Sequence, residues 1–283
     1  MLVDTHTHFY DQWLLPDADA AVQRALDAGV GKMIQADVDS RERPYMWEVS
    51  ARYPGVIYNM LGLYPGSVDE RWKEELDEVY RIGDPRDKPE DDGKDKPEDD
   101  GKDHKHVFVA IGEIGLDYHE GKEFAAEQKE VLRLQFELAA RKNLPVNIHL
   151  RDAWEDFFHV LKDCSHLGLR GVLHCFSGSF EVYERANQYG DFSVGIGGVI
   201  TFKNSNLAAT VARIPMEHIV LETDAPYLAP VPFRGQRNES SYLPIIAEKV
   251  AQVKGMTMEE VGRMTTNNAE HLYNLRSPGQ ARG

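Results

Sequence analysis

The sequence predicts a (β/α)8, TIM-type barrel. Eight short apolar runs alternate with stretches of helical periodicity. Glycines fall where those helices should stop, and six potential metal ligands each stand just past an apolar run. Parallel strands of one barrel would bring all six ligands to the same rim. A doubly wound open sheet is the rival architecture, but its ligands do not usually come from so many strand ends.

The apolar runs lie around residues 2–3, 32–35, 56–61, 107–111, 146–149, 171–174, 192–196 and 219–222. Helical patterns between them include residues 18–28, 124–141 and 179–188. In the second of these, Val131, Leu134, Leu138 and Arg141 trace one face, with Gln135 and Glu137 expected to turn away. Gly29, Gly31, Gly168 and Gly190 are expected helix stops, because glycine tolerates the left-handed backbone that follows a helix.

With 283 residues, 42% of them hydrophobic, the chain can bury the core of one barrel domain spanning 1–283. One stretch departs from the barrel rhythm. DKPEDDGK at 87–94 is repeated residue for residue at 95–102. The surrounding segment, about 84–106, carries ten acids against six bases and no large apolar residue, so it is expected to be a mobile acidic insertion. As the connection from the third helix to the fourth strand, it would lie on the face away from the ligands.

Two cysteines, Cys164 and Cys175, are too few for a disulfide framework. Nothing resembles a leader, and no apolar run approaches the ~18 residues of a membrane span. A cytoplasmic protein is expected. The net charge of -15 argues against a broad electrostatic grip on nucleic acid or anionic lipid. A nuclease remains compatible with it, because bound cations reverse the field locally.

The potential ligands are His6, His8, Glu113, His149, His174 and Asp224. His6 and His8, two apart on an extended chain, point the same way. Glu113 sits in GEIGLD, between glycines that leave a metal room to approach. A single buried histidine is more commonly a hydrogen-bonded core residue, and an aspartate before Ala225-Pro226 can simply begin a turn. Such explanations do not account for six residues repeating one placement. The donor set suits one or two divalent ions, and therefore a hydrolase. Among the other histidines, only His119, six residues beyond Glu113, is expected to support the site from behind. Cys175 should point to the opposite side of its strand from His174.

Longer motifs carry a family resemblance: DTHTHF at 4–9, AIGEIGLDYH at 110–119, LPVNIHLRDA at 144–153, GVLHCFSGS at 171–179, GIGGVITFK at 195–203, LETDAPYLAP at 221–230 and RGQRNES at 234–240. Nearly end to end, the sequence resembles the TatD-related metal-dependent DNases, within the amidohydrolase-like, metallo-dependent hydrolase barrels. The resemblance implies that the six residues ligate two divalent ions (Mg2+, Mn2+ or Zn2+), with Glu113 bridging them. It also implies a deoxyribonuclease of exonuclease type acting on a DNA strand end; the residues themselves point to no membrane and to no obligate protein partner.

Asp224 is expected to orient the attacking water and accept its proton. Loop position suggests Arg151, Lys203 and Arg234 as phosphate contacts and Tyr227 as a stacking surface. The chain departs from the family at Tyr64. Many members read Gly-x-His-Pro where this one reads Gly62-Leu63-Tyr64-Pro65. A phenol cannot replace an imidazole as an acid–base group near neutral pH. The alternatives are a metal-dependent hydrolase of a small amide or ester, and a non-catalytic binding protein whose acidic segment recruits a partner.

Overall fold

In a computed structural model, which describes residues 1–83, 108–119 and 121–275, eight strands lie in one parallel sheet in chain order. They are β1 (Leu2–Thr7), β2 (Val30–Gln35), β3 (Ile57–Leu61), β4 (Phe108–Asp117), β5 (Val146–Arg151), β6 (Arg170–Leu173), β7 (Asp191–Ile196) and β8 (Ile219–Leu221). Each is followed by a helix: α1 (Ala18–Asp27), α2 (Arg43–Arg52), α3 (Trp72–Gly83), α4 (Ala125–Lys142), α5 (Trp154–Asp163), α6 (Phe180–Ala186), α7 (Leu207–Arg213) and α8 (Leu243–Lys254). A further helix, α9 (Met258–Tyr273), begins in a capping box between Thr257 and Glu260. The expected barrel is present and nearly closed. No helix among the described residues is long and apolar enough to cross a membrane.

Successive residues along the strands divide between two apolar clusters, as a period of two requires. Val3, Ile34, Met60, Ala110, Val172 and Val220 belong to one, together with Tyr273 and Leu275 from the end of α9 and just beyond. Their neighbours Leu2, Met33, Leu61, Ile111, Leu173 and Leu221 belong to the other, which joins the sheet to the helices. The strands are thus buried on both faces, which explains their nearly continuous apolar runs.

Side chains secure the seam between β8 and β1, where the backbone offers only an isolated parallel bridge between Thr7 and Ala225. The fully buried Asp4 accepts the Thr223 N–H at 2.9 Å and the Thr223 hydroxyl at 2.6 Å. The Thr5 hydroxyl donates to the Leu221 carbonyl at 3.0 Å, and Asn238 Nδ2 to the Thr223 carbonyl at 2.7 Å.

Several boundaries differ from expectation. β1, β4 and β5 run further, so His6, Glu113 and His149 lie within strands rather than past them. Gly29 and Gly168 do take the left-handed backbone, but Gly31 is inside β2 and Gly190 has no positive φ. The Gln135 side chain turns inward and is fully buried, with Oε1 accepting the Leu63 N–H and Nε2 donating to the Leu63 carbonyl. A polar residue on the buried face of α4 reads as outward from periodicity alone, although here it anchors the loop that carries Tyr64. The acidic segment at about 84–106 lies outside the described residues.

Replacing Asp4 by alanine strands two buried donors on Thr223. The expected loss is about 2–4 kcal/mol of stability, measured as a lower midpoint in urea unfolding.

Candidate metal centre

β1 delivers His6, and His8 follows one residue past its end. The two Nε2 atoms face each other at 3.1 Å. His6 Nδ1 lies 2.9 Å from Asn147 Oδ1, a pure acceptor, so Nδ1 carries the proton. The Tyr10 hydroxyl donates to the Ala36 carbonyl at 2.5 Å, which leaves its oxygen to accept from His8 Nδ1 at 2.9 Å. In their neutral forms both imidazoles therefore present lone pairs to each other. Glu113 Oε2, 3.3 Å from His6 Nε2, adds a further acceptor. Three acceptors converging on one point require a cation between them, so the donor set fits a metal ion.

Glu113 is buried and its two oxygens serve different histidines. Oε2 faces His6 and His8, at 3.3 and 3.8 Å, while Oε1 faces His149 Nδ1 at 2.9 Å and His174 Nε2 at 3.8 Å. Asp224 Oδ1 lies 3.5–3.8 Å from the Nε2 atoms of His8, His174 and His6. Asp224 has φ 59, and its N–H donates to the His6 carbonyl at 2.9 Å, tying the end of β8 to β1. Three overlapping groups could each hold an ion: His6–His8–Glu113, His6–His174–Asp224, and Glu113–His149–His174. All six expected ligands are brought together.

Four supporting residues escaped the sequence reading: Tyr10, Asp117, Asn147 and Glu222. Each is an even number of residues from a proposed ligand on its own segment, and residues so spaced share one side of an extended chain. That spacing was the available signal. Asp117 Oδ2 lies 2.9 Å from His149 Nε2. Glu222 Oε1 lies 3.0 Å from His174 Nδ1, an ion-pair contact out of line for a hydrogen bond, and accepts the Cys175 N–H at 2.5 Å.

Two glycines make room for this arrangement. A Cβ on Gly195 would lie 2.0 Å from Glu222 Oε2, and one on Gly115, at φ +151, only 1.9 Å from the His149 carbonyl oxygen.

The centre opens into a cavity of about 830 Å³, with Tyr64, Arg151 and Tyr227 on its walls. The Tyr64 hydroxyl donates to Asp117 Oδ2 at 3.4 Å and its ring stands edge-on to His149. Lys203 and Arg234 do not line the cavity; Lys203 is exposed, and the Arg234 guanidinium sits 4.4 Å from the Phe202 ring centroid. Two expectations need correction. The His119 imidazole does not reach the ligands but pairs with Asp152 at 3.2 Å near the surface, and only its backbone N–H supports the site, donating to Asp117 Oδ1 at 2.9 Å. Cys175 lines the same cavity as His174, because the chain has already left β6 and turns there with φ 45.

Burial opposes charge on every group here, yet mutual attraction prevails for most of them. Against that burial, His6 and His149 hold Glu113 well below the usual carboxylate range, and His174 and His8 lower Asp224. Burial and the neighbouring His174 push His6 down and keep it neutral. Despite their burial, His149 rises to about 9 through hydrogen bonds to Asp117 and Glu113, and His174 to about 10 through Glu222 and Asp224.

Both latter values lie above neutrality, so both imidazoles carry an extra proton in the metal-free protein at pH 7.5. An ion that takes either nitrogen must displace one. Calorimetric titration with Zn2+ or Mn2+ in buffers of different ionisation enthalpy is expected to show release of about one to two protons per chain. Heats that do not change with buffer would contradict this.

A family model described as "TatD related DNase" matches residues 3–274. The chain is 36% identical over 276 residues to the protein named uncharacterized metal-dependent hydrolase YabD of Bacillus subtilis (strain 168), covering 97% of this chain and 100% of YabD. It is 31% identical over 265 residues to the protein named 3'-5' ssDNA/RNA exonuclease TatD of Erwinia billingiae (strain Eb661), covering 92% and 94% of the two chains. The crystal structure of YjjV, a TatD homolog from Escherichia coli K12, superposes with a TM-score of 0.80 at 29% identity, over 96% of this chain and 98% of that one. The protein belongs to the TatD-related DNase family of metal-dependent hydrolases.

Proposed function

We propose that this protein hydrolyses phosphodiester bonds as a deoxyribonuclease of exonuclease type, shortening a DNA strand from its end. His6, His8, Glu113, His149, His174 and Asp224 would hold two divalent ions (Mg2+, Mn2+ or Zn2+), with the whole chain acting as one barrel domain. The observation that carries this reading is the convergence of imidazole lone pairs and carboxylates around Glu113, whose two oxygens serve two pairs of histidines. The substrate class rests on the family and on the activity named for the Erwinia relative.

Ions held there supply Lewis acidity, lowering the pKa of water from about 15.7 toward about 7 and offsetting charge on a scissile ester. The side chains do the rest. Asp224, held ionised, turns Oδ1 to three imidazoles, which leaves Oδ2 to accept the proton of an attacking water. Arg151 on the opposite wall offers a bidentate hold on phosphate. The Tyr64 phenol is pushed up by burial and by Glu113 and Asp117, so it acts only as a donor.

A second reading, hydrolysis of a small ester or amide, is favoured by Tyr64 and by Asp11 and Glu42 in the cavity wall. End-labelled single-stranded DNA, lactones and cyclic amides separate the two. Metal-stripped protein resupplied with Mg2+ or Mn2+ is expected to shorten the DNA from one end and to leave the small molecules intact. Glu113→Gln and Asp224→Ala should abolish that activity. Lactone or amide turnover without DNA cleavage would move the assignment to the second reading.

Tyr64→Phe removes one long hydrogen bond and no acid–base group. It is expected to lower kcat/KM by roughly 2- to 10-fold without altering the pH profile between 6 and 9 (about the span a histidine would govern).

A further inference from the structure

Seven large hydrophobic side chains are exposed among the described residues, and five lie on the ligand-bearing rim, four in loops and one in the first turn of α2. Trp13 follows β1, Tyr45 follows β2, and Tyr227, Leu228 and Val231 follow β8. These three strands are neighbours, since β1 pairs with β2 and bridges to the chain after β8. The exposed apolar surface therefore forms one arc of the rim.

This arc is continuous with the cavity. Asp11 Oδ1 accepts the Trp13 N–H at 2.8 Å and Oδ2 accepts the Tyr227 hydroxyl at 2.7 Å, so one carboxylate couples the loops after β1 and β8. Tyr227 lines the cavity, 48% exposed, with its ring 6.1 Å from that of His8. Trp13 is 63% exposed.

Charge decides what such a surface accepts. The arc's contributions to the cavity wall include the acids Asp11 and Glu42 and no arginine or lysine. Three arginines lie in its loops: Arg41 and Arg237 are held by Asp39 and Asp17 at 2.5 Å, and Arg234 is exposed outside the cavity with its guanidinium over the Phe202 ring. Arg151 is the only arginine or lysine in the cavity wall among the described residues, and it ends β5, three strands from β2 and β8 and four from β1. An anionic backbone or lipid surface is disfavoured on the arc, whereas the uncharged faces of nucleobases find aromatic partners.

We propose that the arc binds the unpaired bases of the strand leading away from the cleaved end, stacked on Tyr227 and Trp13, with the backbone phosphates turned toward Arg151. This rests on the nuclease reading of the same centre and adds where the uncleaved part of the substrate lies.

Binding and cleavage test the two claims separately. In EDTA, anisotropy of a labelled hexathymidylate reads binding without turnover. Trp13→Ala is expected to weaken it roughly 5- to 50-fold, the range for loss of one stacked base, while Trp13→Phe restores most of it. A blunt duplex, which hides its base faces, should compete poorly. Unchanged affinity in Trp13→Ala, equal competition by duplex, or a Trp13-dependent dimer in sedimentation would overturn the proposal. In Mn2+, hydrolysis of bis(p-nitrophenyl) phosphate, too small to reach the arc, should be equal in Trp13→Ala and wild type. Tryptophan-dependent binding without any DNA cleavage would leave the arc standing and remove the nuclease reading. Cleavage with Trp13-independent binding would do the reverse.

Discussion

Everything at the rim depends on keeping imidazole lone pairs and carboxylates together out of water. Burying such groups is expensive unless each finds a partner. The protein meets that demand by fixing one nitrogen of each imidazole with an outer group. Asn147 holds His6, Tyr10 holds His8, Asp117 contacts His149, and Glu222 contacts His174. The other nitrogens turn inward toward Glu113 and Asp224, and the concentrated acceptors create the demand for a cation. Without the outer groups the rings could rotate and satisfy one another, and the inward geometry would be lost.

The barrel makes this possible because each strand contributes only a few groups. A parallel sheet buried on both faces accepts few polar side chains within its strands. At their ends, residues of alternate parity reach the same rim from every direction. β1 and β8, which carry or precede three of the proposed ligands, are also the pair with almost no backbone ladder between them. Asp4, Thr5, Thr223 and Asn238 take over that role. The seam therefore combines barrel closure with placement of His6 and Asp224, so a change in its hydrogen bonding reaches the centre directly.

The rim is also chemically lopsided. Its arc over β8, β1 and β2 presents exposed aromatic rings and acids, while the cavity's arginine lies on the far side. A protein of net charge -15 thus offers a polyanion no broad basic surface. Among the described residues lining the cavity, attraction for an anion centres on Arg151 and the candidate ion positions. This favours engagement of a short stretch of substrate over long tracking along a duplex.

From the sequence alone, the barrel and the convergence of the six candidate ligands were legible. Strand runs, helix stops and ligand positions are local and periodic, and chemistry at strand ends repeats a single placement. What lay one step behind was not. Tyr10, Asp117, Asn147 and Glu222 resemble ordinary polar residues until their partners on other strands are known. Gln135 read as outward because periodicity cannot anticipate a buried side chain that satisfies the Leu63 backbone. Cys175 lines the cavity and the His119 imidazole lies near the surface, both against expectation, because a single left-handed turn or a short loop redirects a side chain. Lys203 and Arg234 had loop positions that suited phosphate contact, yet neither reaches the cavity. The sequence by itself determined which groups could form the centre, since periodicity and residue chemistry act along the chain. Only the tertiary structure decided which neighbours orient them and which wall carries charge, because those depend on residues far apart in sequence meeting at one rim.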